Sequence, residues 1–361
     1  MNSFLPRIEI SLSQIRENTQ ILSKLYKNKG TSLMGVTKAV LGEPSIAKAM
    51  IQGGVEFIAD SRLENILRMK NSGIAVPFVL LRTPLSQAES IVHNVDISLN
   101  TEIKTLKELS CHAKRRHKIH KVIIMVELGD LREGILPHDL SQFFEQALLL
   151  SNLEIIGIGC NLACYGGIKP DDKKMQELSA QVGLLETRFH IDLKIVSGGN
   201  SANYEWFKSS QNIGRINNLR VGESILLGCE TVGRKAIPGL HLSAFQLIAE
   251  VIESKKKPSL PFGEIGQDAF GNVPGFQDRG DHQRVIIALG RQDVQVSQLK
   301  SNNKLRMIGS SSDHIILDGG DHNLEIGDEV RFSLGYSGLL TTMTSPFVLK
   351  QFTDSDAHVA A

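Results

Sequence analysis

The chain has 361 residues, of which 41% are apolar and 22% charged, so it is long enough for two domains and apolar enough to bury a core. Its 40 Lys and Arg against 39 Asp and Glu leave a net charge of +1. That excludes the one-signed field that recruits nucleic acid or anionic lipid. Cys111, Cys160, Cys164 and Cys229 form no CxxC pair and no metal-ligand spacing, so reduced thiols and no metal are expected. MNSFLPRIEI lacks the basic start and apolar run of a leader, and apolar stretches such as 76–81 are too short to cross a bilayer. The composition therefore predicts a soluble, cytoplasmic protein without a membrane partner.

In chain order, 10–27 reads as a helix with Ser11 or Ser13 as its cap and Ile15, Ile21, Leu22 and Leu25 on its apolar side. One pattern then repeats: a short apolar run, a turn and a helical stretch. The runs are 32–37, 55–60, 76–82, 96–100, 121–128, 153–159, 193–199 and 217–222. Continuous apolar runs fit parallel strands buried on both faces. Eight such units predict an α/β fold built on a (β/α)8 TIM barrel. A doubly wound open sheet competes, but no GxGxxG opens the first unit. After about residue 238 the character changes. Strand-like runs at 244–254, 283–294, 305–319, 328–336 and 345–352, set between Gly-rich turns, predict an antiparallel β domain. The expected division is a barrel with the N-terminal strand and helix at 1–238 and a β domain at 239–361.

In such a barrel, chemistry sits at the C-terminal ends of the strands. There the first unit ends in Lys38, the fifth leads to Arg132, the sixth to Asn161, the seventh to Ser197-Gly198-Gly199-Asn200-Ser201, and the eighth contains Arg220 before Gly222. A desolvated lysine amine becomes a nucleophile toward carbonyls, although taken alone Lys38 equally fits a side chain reaching to water. The SGGNS segment permits close backbone approach and offers N–H and hydroxyl groups to a phosphate, although a Gly-rich turn is also an ordinary connection. A lysine, a phosphate cradle and arginines at one barrel mouth together point to a phosphorylated aldehyde held as a Schiff base, pyridoxal 5'-phosphate.

The segments GVTKAVLG (35–42), IADSRLENI (58–66), MVELGDLREGI (125–135), GIGCNLACYGG (157–167), SGGNSAN (197–203), NNLRVGESILLG (217–228), GEIGQDAFGN (263–272), GRQDV (290–294), SSDHIILD (311–318) and MTSPFV (343–348) carry a resemblance along nearly the whole chain. It is to the alanine racemase-like, fold-type III pyridoxal-phosphate enzymes, and within them to the ornithine racemase branch. The resemblance implies that Lys38 bears the cofactor and acts as one catalytic base. It places Arg132 near the phenolic oxygen, Ser201 with Gly199, Asn200 and Gly222 at the phosphate, and Arg220 at the pyridine nitrogen. Asn161 stands where alanine racemases carry a histidine behind the ring, and Tyr336 is a candidate phosphate hydroxyl or a β-domain core residue. The resemblance also implies a homodimer with shared active sites.

One departure matters. Alanine racemases draw their second base, a tyrosine, from a Gly-Tyr-Ala-Asp segment of the partner subunit; here the segment is Gly290-Arg291-Gln292-Asp293. Arginine stays protonated and is a poor base. Asp313, His314 and Asp293 are the alternatives, each of which equally reads as a loop-holding residue. The expected function is racemisation of a free amino acid, ornithine or another basic one. A decarboxylase on the same cofactor and a non-catalytic cofactor-binding protein are the competing readings. An arginine at the ring nitrogen argues against the first and the full β domain against the second. A distal amine needs a carboxylate, for which Asp130, Glu133 and Glu230 are candidates, with surface pairing the ordinary fate of each.

Overall fold

The computed structural model describes residues 4–302 and 305–353. The chain enters through strand β1 (Arg7–Ile10) and helix α1 (Leu12–Lys27). Eight strands follow, each leading to a helix: β2 (Ser32–Val36) to α2 (Pro44–Gln52), β3 (Phe57–Asp60) to α3 (Leu63–Asn71), β4 (Phe78–Leu80) to α4 (Ala88–Asn94), β5 (Ile97–Asn100) to α5 (Ile103–Arg115), β6 (His120–Val126) to α6 (Leu140–Ala147), β7 (Leu153–Cys160) to α7 (Asp172–Phe189), β8 (Ile195–Ser197) to α8 (Tyr204–Ser209), and β9 (Asn218–Val221) to α9 (Glu223–Leu227). All eight expected barrel strands are present. Parallel pairing runs from β2 through β9, and β9 returns to β2 with Ser32 opposite Asn218 and Met34 opposite Arg220, closing a barrel.

Alternate residues of these strands meet inside the barrel. Met34, Val36, Ala59, Val79, Ile97, Leu99, Ile123, Met125 and Ile156 form one buried cluster. Side chains from six neighbouring strands can meet in this way only because the sheet closes on itself. The helices bury their inner faces outside it. On α1 the buried residues are Ile15, Asn18, Thr19, Leu22 and Tyr26, whereas Ile21, expected inside, is 40% exposed. Buried Asn18 offers its amide N–H groups to the carbonyls of Ile225 and His241 and accepts from the His241 N–H. It thereby fixes the segment that leaves the barrel.

The chain divides into two compact units, 12–242 and 1–11 with 243–361. The N-terminal strand, expected with the barrel, instead lies in the second unit. Its four residues pair antiparallel with β10 (Phe245–Pro258) and parallel with β16 (Leu349–Phe352). Non-local pairing of this kind leaves no mark on local periodicity. The second unit is built on one sheet with the core path β12 (Leu299–Ser301), β15 (Glu329–Leu334), β10, β11 (Asp281–Ile287), β14 (Ile315–Asp318) and β13 (Arg306–Ser310). The run at 305–319, expected as one strand, is the hairpin of β13 and β14, broken at the Ser311–His314 turn. The run expected at 328–336 ends at Leu334, and Tyr336 opens helix α10 (Tyr336–Thr344).

Candidate active site

Lys38 starts a 3-10 turn directly after β2, and the turn ends at Leu41 in the left-handed conformation, φ 54°. Beneath it, Thr37 donates through Oγ1 to Asp60 Oδ2 at 2.7 Å, while Asp60 Oδ1 accepts from the Arg62 N–H at 2.9 Å and from Asn65 Nδ2 at 3.0 Å. Asp60 is fully buried, and burial pushes its carboxyl pKa up against the opposing effect of these bonds. The ends of β2 and β3 are thus clamped together under the lysine. Lys38 itself is half-buried, and its Nζ has no hydrogen-bond or ion-pair partner among the described residues. Burial lowers its pKa, and the Arg132 guanidinium lowers it further, outweighing the opposite pull of Cys164, Asp60 and Glu133.

A chain of polar contacts spans the mouths of β6 to β9. Glu133 Oε1 accepts from Arg132 Nη2 at 2.6 Å and from Asn161 Nδ2 at 2.8 Å; its Oε2 accepts from Arg132 Nε. Asn161 Oδ1 accepts from Arg220 Nη2 at 2.9 Å, and that same Nη2 reaches the Cys160 carbonyl at 2.7 Å. Arg220 Nη1 donates to Ser197 Oγ at 2.5 Å, and Ser197 donates to Asn218 Oδ1 at 2.9 Å. Arg220 is 4% exposed, and burial lowers its pKa against the pull of Cys160, Glu133 and Cys164. A Cβ on Gly159 would lie 3.0 Å from the Ser197 carbonyl and 3.3 Å from Arg220 Nη1, so a glycine here is what lets the guanidinium lie against β7. Glu223, weighed as a structural partner of Arg220, pairs instead with Arg234.

The SGGNS segment is held by its own side chains. Gly199 takes φ +140°, open only to glycine at little cost. Asn200 and Asn203 cap each other: Asn200 Oδ1 accepts from the Ala202 N–H at 2.8 Å, and Asn203 Oδ1 from the Asn200 N–H at 3.0 Å. Asn200 Nδ2 also donates to the Leu162 carbonyl at 3.0 Å and to Cys164 Sγ at 3.3 Å. Ser201, 4% exposed, accepts from the Ser224 N–H at 3.2 Å. The Arg220 N–H donates to the Gly199 carbonyl at 2.9 Å. Gly222 caps α9 and packs on the Val36 backbone. The barrel therefore brings Lys38, Arg132, Asn161, Gly199, Asn200, Ser201, Arg220 and Gly222 to its strand C-terminal ends.

The candidates for the second base lie in the second unit. Asp313 Oδ1 meets His314 Nδ1 at 3.0 Å and accepts from the Ser312 and Ser311 hydroxyls; the His314 contact first, and then the two hydroxyls, hold the carboxyl pKa below its usual range. The Arg291 and Gln292 N–H groups donate to the Ser311 and Ser312 carbonyls, so the GRQD segment and the SSDH turn lie side by side. Arg291 stacks on Phe270 at 3.8 Å. Asp293 is buried, accepting from the Gly290 N–H and the Ser345 hydroxyl. Two parts of the barrel site lack an assigned role in the sequence reading: Asp60 and Cys164. A carboxylate ending an apolar strand, as in IAD, is the signal that would have singled out Asp60.

The profile of the family described as alanine racemase, N-terminal domain, matches residues 10–229. Ornithine racemase of Acetoanaerobium sticklandii is 40% identical over 351 residues, covering 96% of this chain and 99% of the relative. Lysine racemase of Thermotoga maritima is 39% identical over 360 residues, covering 97% and 99%. Among solved structures, the alanine racemase of the D-cycloserine producer Streptomyces lavendulae superposes with a TM-score of 0.78 at 16% identity, covering 98% of each chain. That likeness shows the same fold, a barrel followed by a β domain. With the family profile spanning the barrel and both racemase relatives matched nearly end to end, this chain belongs to the alanine racemase family.

Proposed function

We propose that this protein is a pyridoxal-phosphate-dependent isomerase that racemises a free basic amino acid, ornithine or lysine. The observation that carries the reading is the pairing, in one barrel mouth, of a partner-free Lys38 amine with a buried Arg220. The donor set fits the cofactor. Three of the five guanidinium N–H groups of Arg220 are spent on Ser197, Cys160 and Asn161. Its Nε–H and one Nη1 hydrogen have no acceptor among the described residues and are available to a ring nitrogen. Ser201 with Gly199, Asn200 and Gly222 would hold the phosphate. Arg132 would hold the phenolic oxygen, and Asn161 would back the ring.

When bound, pyridoxal phosphate supplies the electron-withdrawing group that acidifies the substrate Cα–H. The protein moves the proton. Lys38 Nζ, its pKa lowered by burial, takes or returns the Cα proton on its own side. Inversion needs a second group on the opposite side. The reading assigns that role to the Asp313–His314 turn of a second subunit, in a cytoplasmic homodimer. Because arginine remains protonated, Arg220 donates to a ring nitrogen rather than protonating it, which disfavours the decarboxylase reading.

The test is the visible spectrum of the purified protein and of Lys38→Ala, followed by borohydride reduction, peptide mass mapping and a chiral assay. The expected result is a yellow band lost in the variant, a pyridoxyl mass on Lys38, and interconversion of L- and D-ornithine or lysine. A protein that binds no added pyridoxal phosphate refutes the cofactor and the reaction together.

A further inference from the structure

Among the described residues, three carboxylates are felt at Lys38 or at its neighbour Arg132: Asp60, Asp130 and Glu133. The fold spends two of them on itself. Asp60 is fully buried with both oxygens bonded to Thr37, Asn65 and the Arg62 N–H. Asp130, 1% exposed, accepts from the Cys164 and Tyr165 N–H groups. Glu230, the third carboxylate weighed from sequence for a distal amine, is likewise buried, on the N–H groups of Val232, Gly233 and Lys235. Surface pairing, the fate expected for these groups, describes neither Asp130 nor Glu230.

Glu133 differs. Only side chains hold it, and its own side chain is 31% exposed. Its cation partner is the adjacent residue Arg132, 38% exposed on the same loop, so the pair can open without disturbing the core. The guanidiniums of Arg132 and Arg220 and the Asn161 amide outweigh burial and keep the carboxyl pKa below its usual range. Glu133 is therefore anionic at neutral pH.

We propose that Glu133 selects the substrate: its carboxylate receives the distal ammonium of ornithine or lysine, which takes the place of Arg132 on Oε2 while Asn161 keeps Oε1. This rests on the racemase reading and names the residue that distinguishes a basic from a neutral side chain.

The experiment compares wild-type holoenzyme with Glu133→Gln and Glu133→Asp on L-ornithine and on L-norvaline, which has the same carbon chain without the amine. The ratio of kcat/KM for ornithine over norvaline should fall about 10- to 100-fold in Glu133→Gln, mainly through KM, with Glu133→Asp recovering part of it. An unchanged ratio overturns the proposal, whether both substrates fall together, as a role confined to orienting Arg132 would give, or neither falls. If Glu133→Gln does not fold, calorimetry on the wild type decides. There 5-aminopentanoate should bind at least about tenfold tighter than pentanoate, and equal binding overturns the proposal. Failure of the racemase reading looks different: no interconversion of ornithine or lysine by the wild type, whatever the two pentanoates do.

Discussion

His120 makes the barrel sensitive to acid far from its chemistry. It starts β6, is 4% exposed, and its Nε2 lies 2.8 Å from Ser98 Oγ. Asn100 Nδ2 donates to the same Oγ at 2.9 Å. The buried imidazole is neutral at pH 7. Burial pushes its pKa down from 6.5 to about 4. Above pH 6.5 the folded and unfolded chains are both neutral here, and the group contributes nothing to the pH dependence. As pH falls below 6.5 the unfolded chain takes up a proton that the folded chain refuses, and stability drops until about pH 4. At pH 5 the loss relative to pH 7.5 is about 2 kcal/mol from this residue alone. The variant is His120→Gln, whose amide can bond to Ser98 through its oxygen or its nitrogen but does not titrate. Urea denaturation at the two pH values, followed by the fluorescence of Trp206, the only tryptophan and itself within the barrel unit, reads the difference. Wild type should lose about 2 kcal/mol more than the variant between pH 7.5 and pH 5. Equal losses, or a folded-state His120 pKa near 6.5 by NMR, would refute the argument.

Three further outcomes follow from the contacts described. Arg220→Ala strips donors from Ser197, the Cys160 carbonyl and Asn161, so the barrel should lose about 2–4 kcal/mol in denaturant titration and racemase turnover should fall with it. Gly290→Ala places a methyl group 2.2 Å from the Asp313 nitrogen and the Ser312 carbonyl oxygen; the β unit should lose about 1–3 kcal/mol, and the Arg291 and Gln292 amides should exchange faster with deuterium. Glu9→Gln weakens a network in which Glu9 accepts from Arg7 and Arg331 while Arg7 also binds Glu329. It should cost about 1–3 kcal/mol at neutral pH. Glu9 and Glu329 both titrate below the usual carboxylate value, so their contribution is present above it and fades as pH falls through the folded values. Wild type and variant should converge in acid.

The barrel was legible because its strands are buried on both faces and so appear as short apolar runs. The second unit was harder. Its three-residue β12 is too short to show a pattern, and GYSGLLTTMT, rich in β-branched residues, folds as α10 because the helix buries Leu339, Thr342 and Met343. At the candidate site, residue types at strand ends singled out Lys38 and Arg220, whose neighbours are local or in register. The Glu133–Asn161 contact joins loops 28 positions apart, and nothing in either loop announces it. The tether of Cys164 to Asn200 and Asp130 is equally invisible, since each end alone is an ordinary polar residue.

The pairing of β1 has a consequence for how the protein is made. The barrel occupies one uninterrupted stretch, 12–242, and every strand in it can find its partners as soon as α9 has left the ribosome. β1 emerges before every strand of the barrel, yet its antiparallel partner is Phe245–Ile248 and its parallel partner is Leu349–Phe352, both translated after the barrel. β1 must therefore wait, with both edges bare, through synthesis of the whole barrel. Arg7 and Glu9 place a cation and an anion on that waiting strand, and charges of this kind keep a bare edge from joining the wrong sheet.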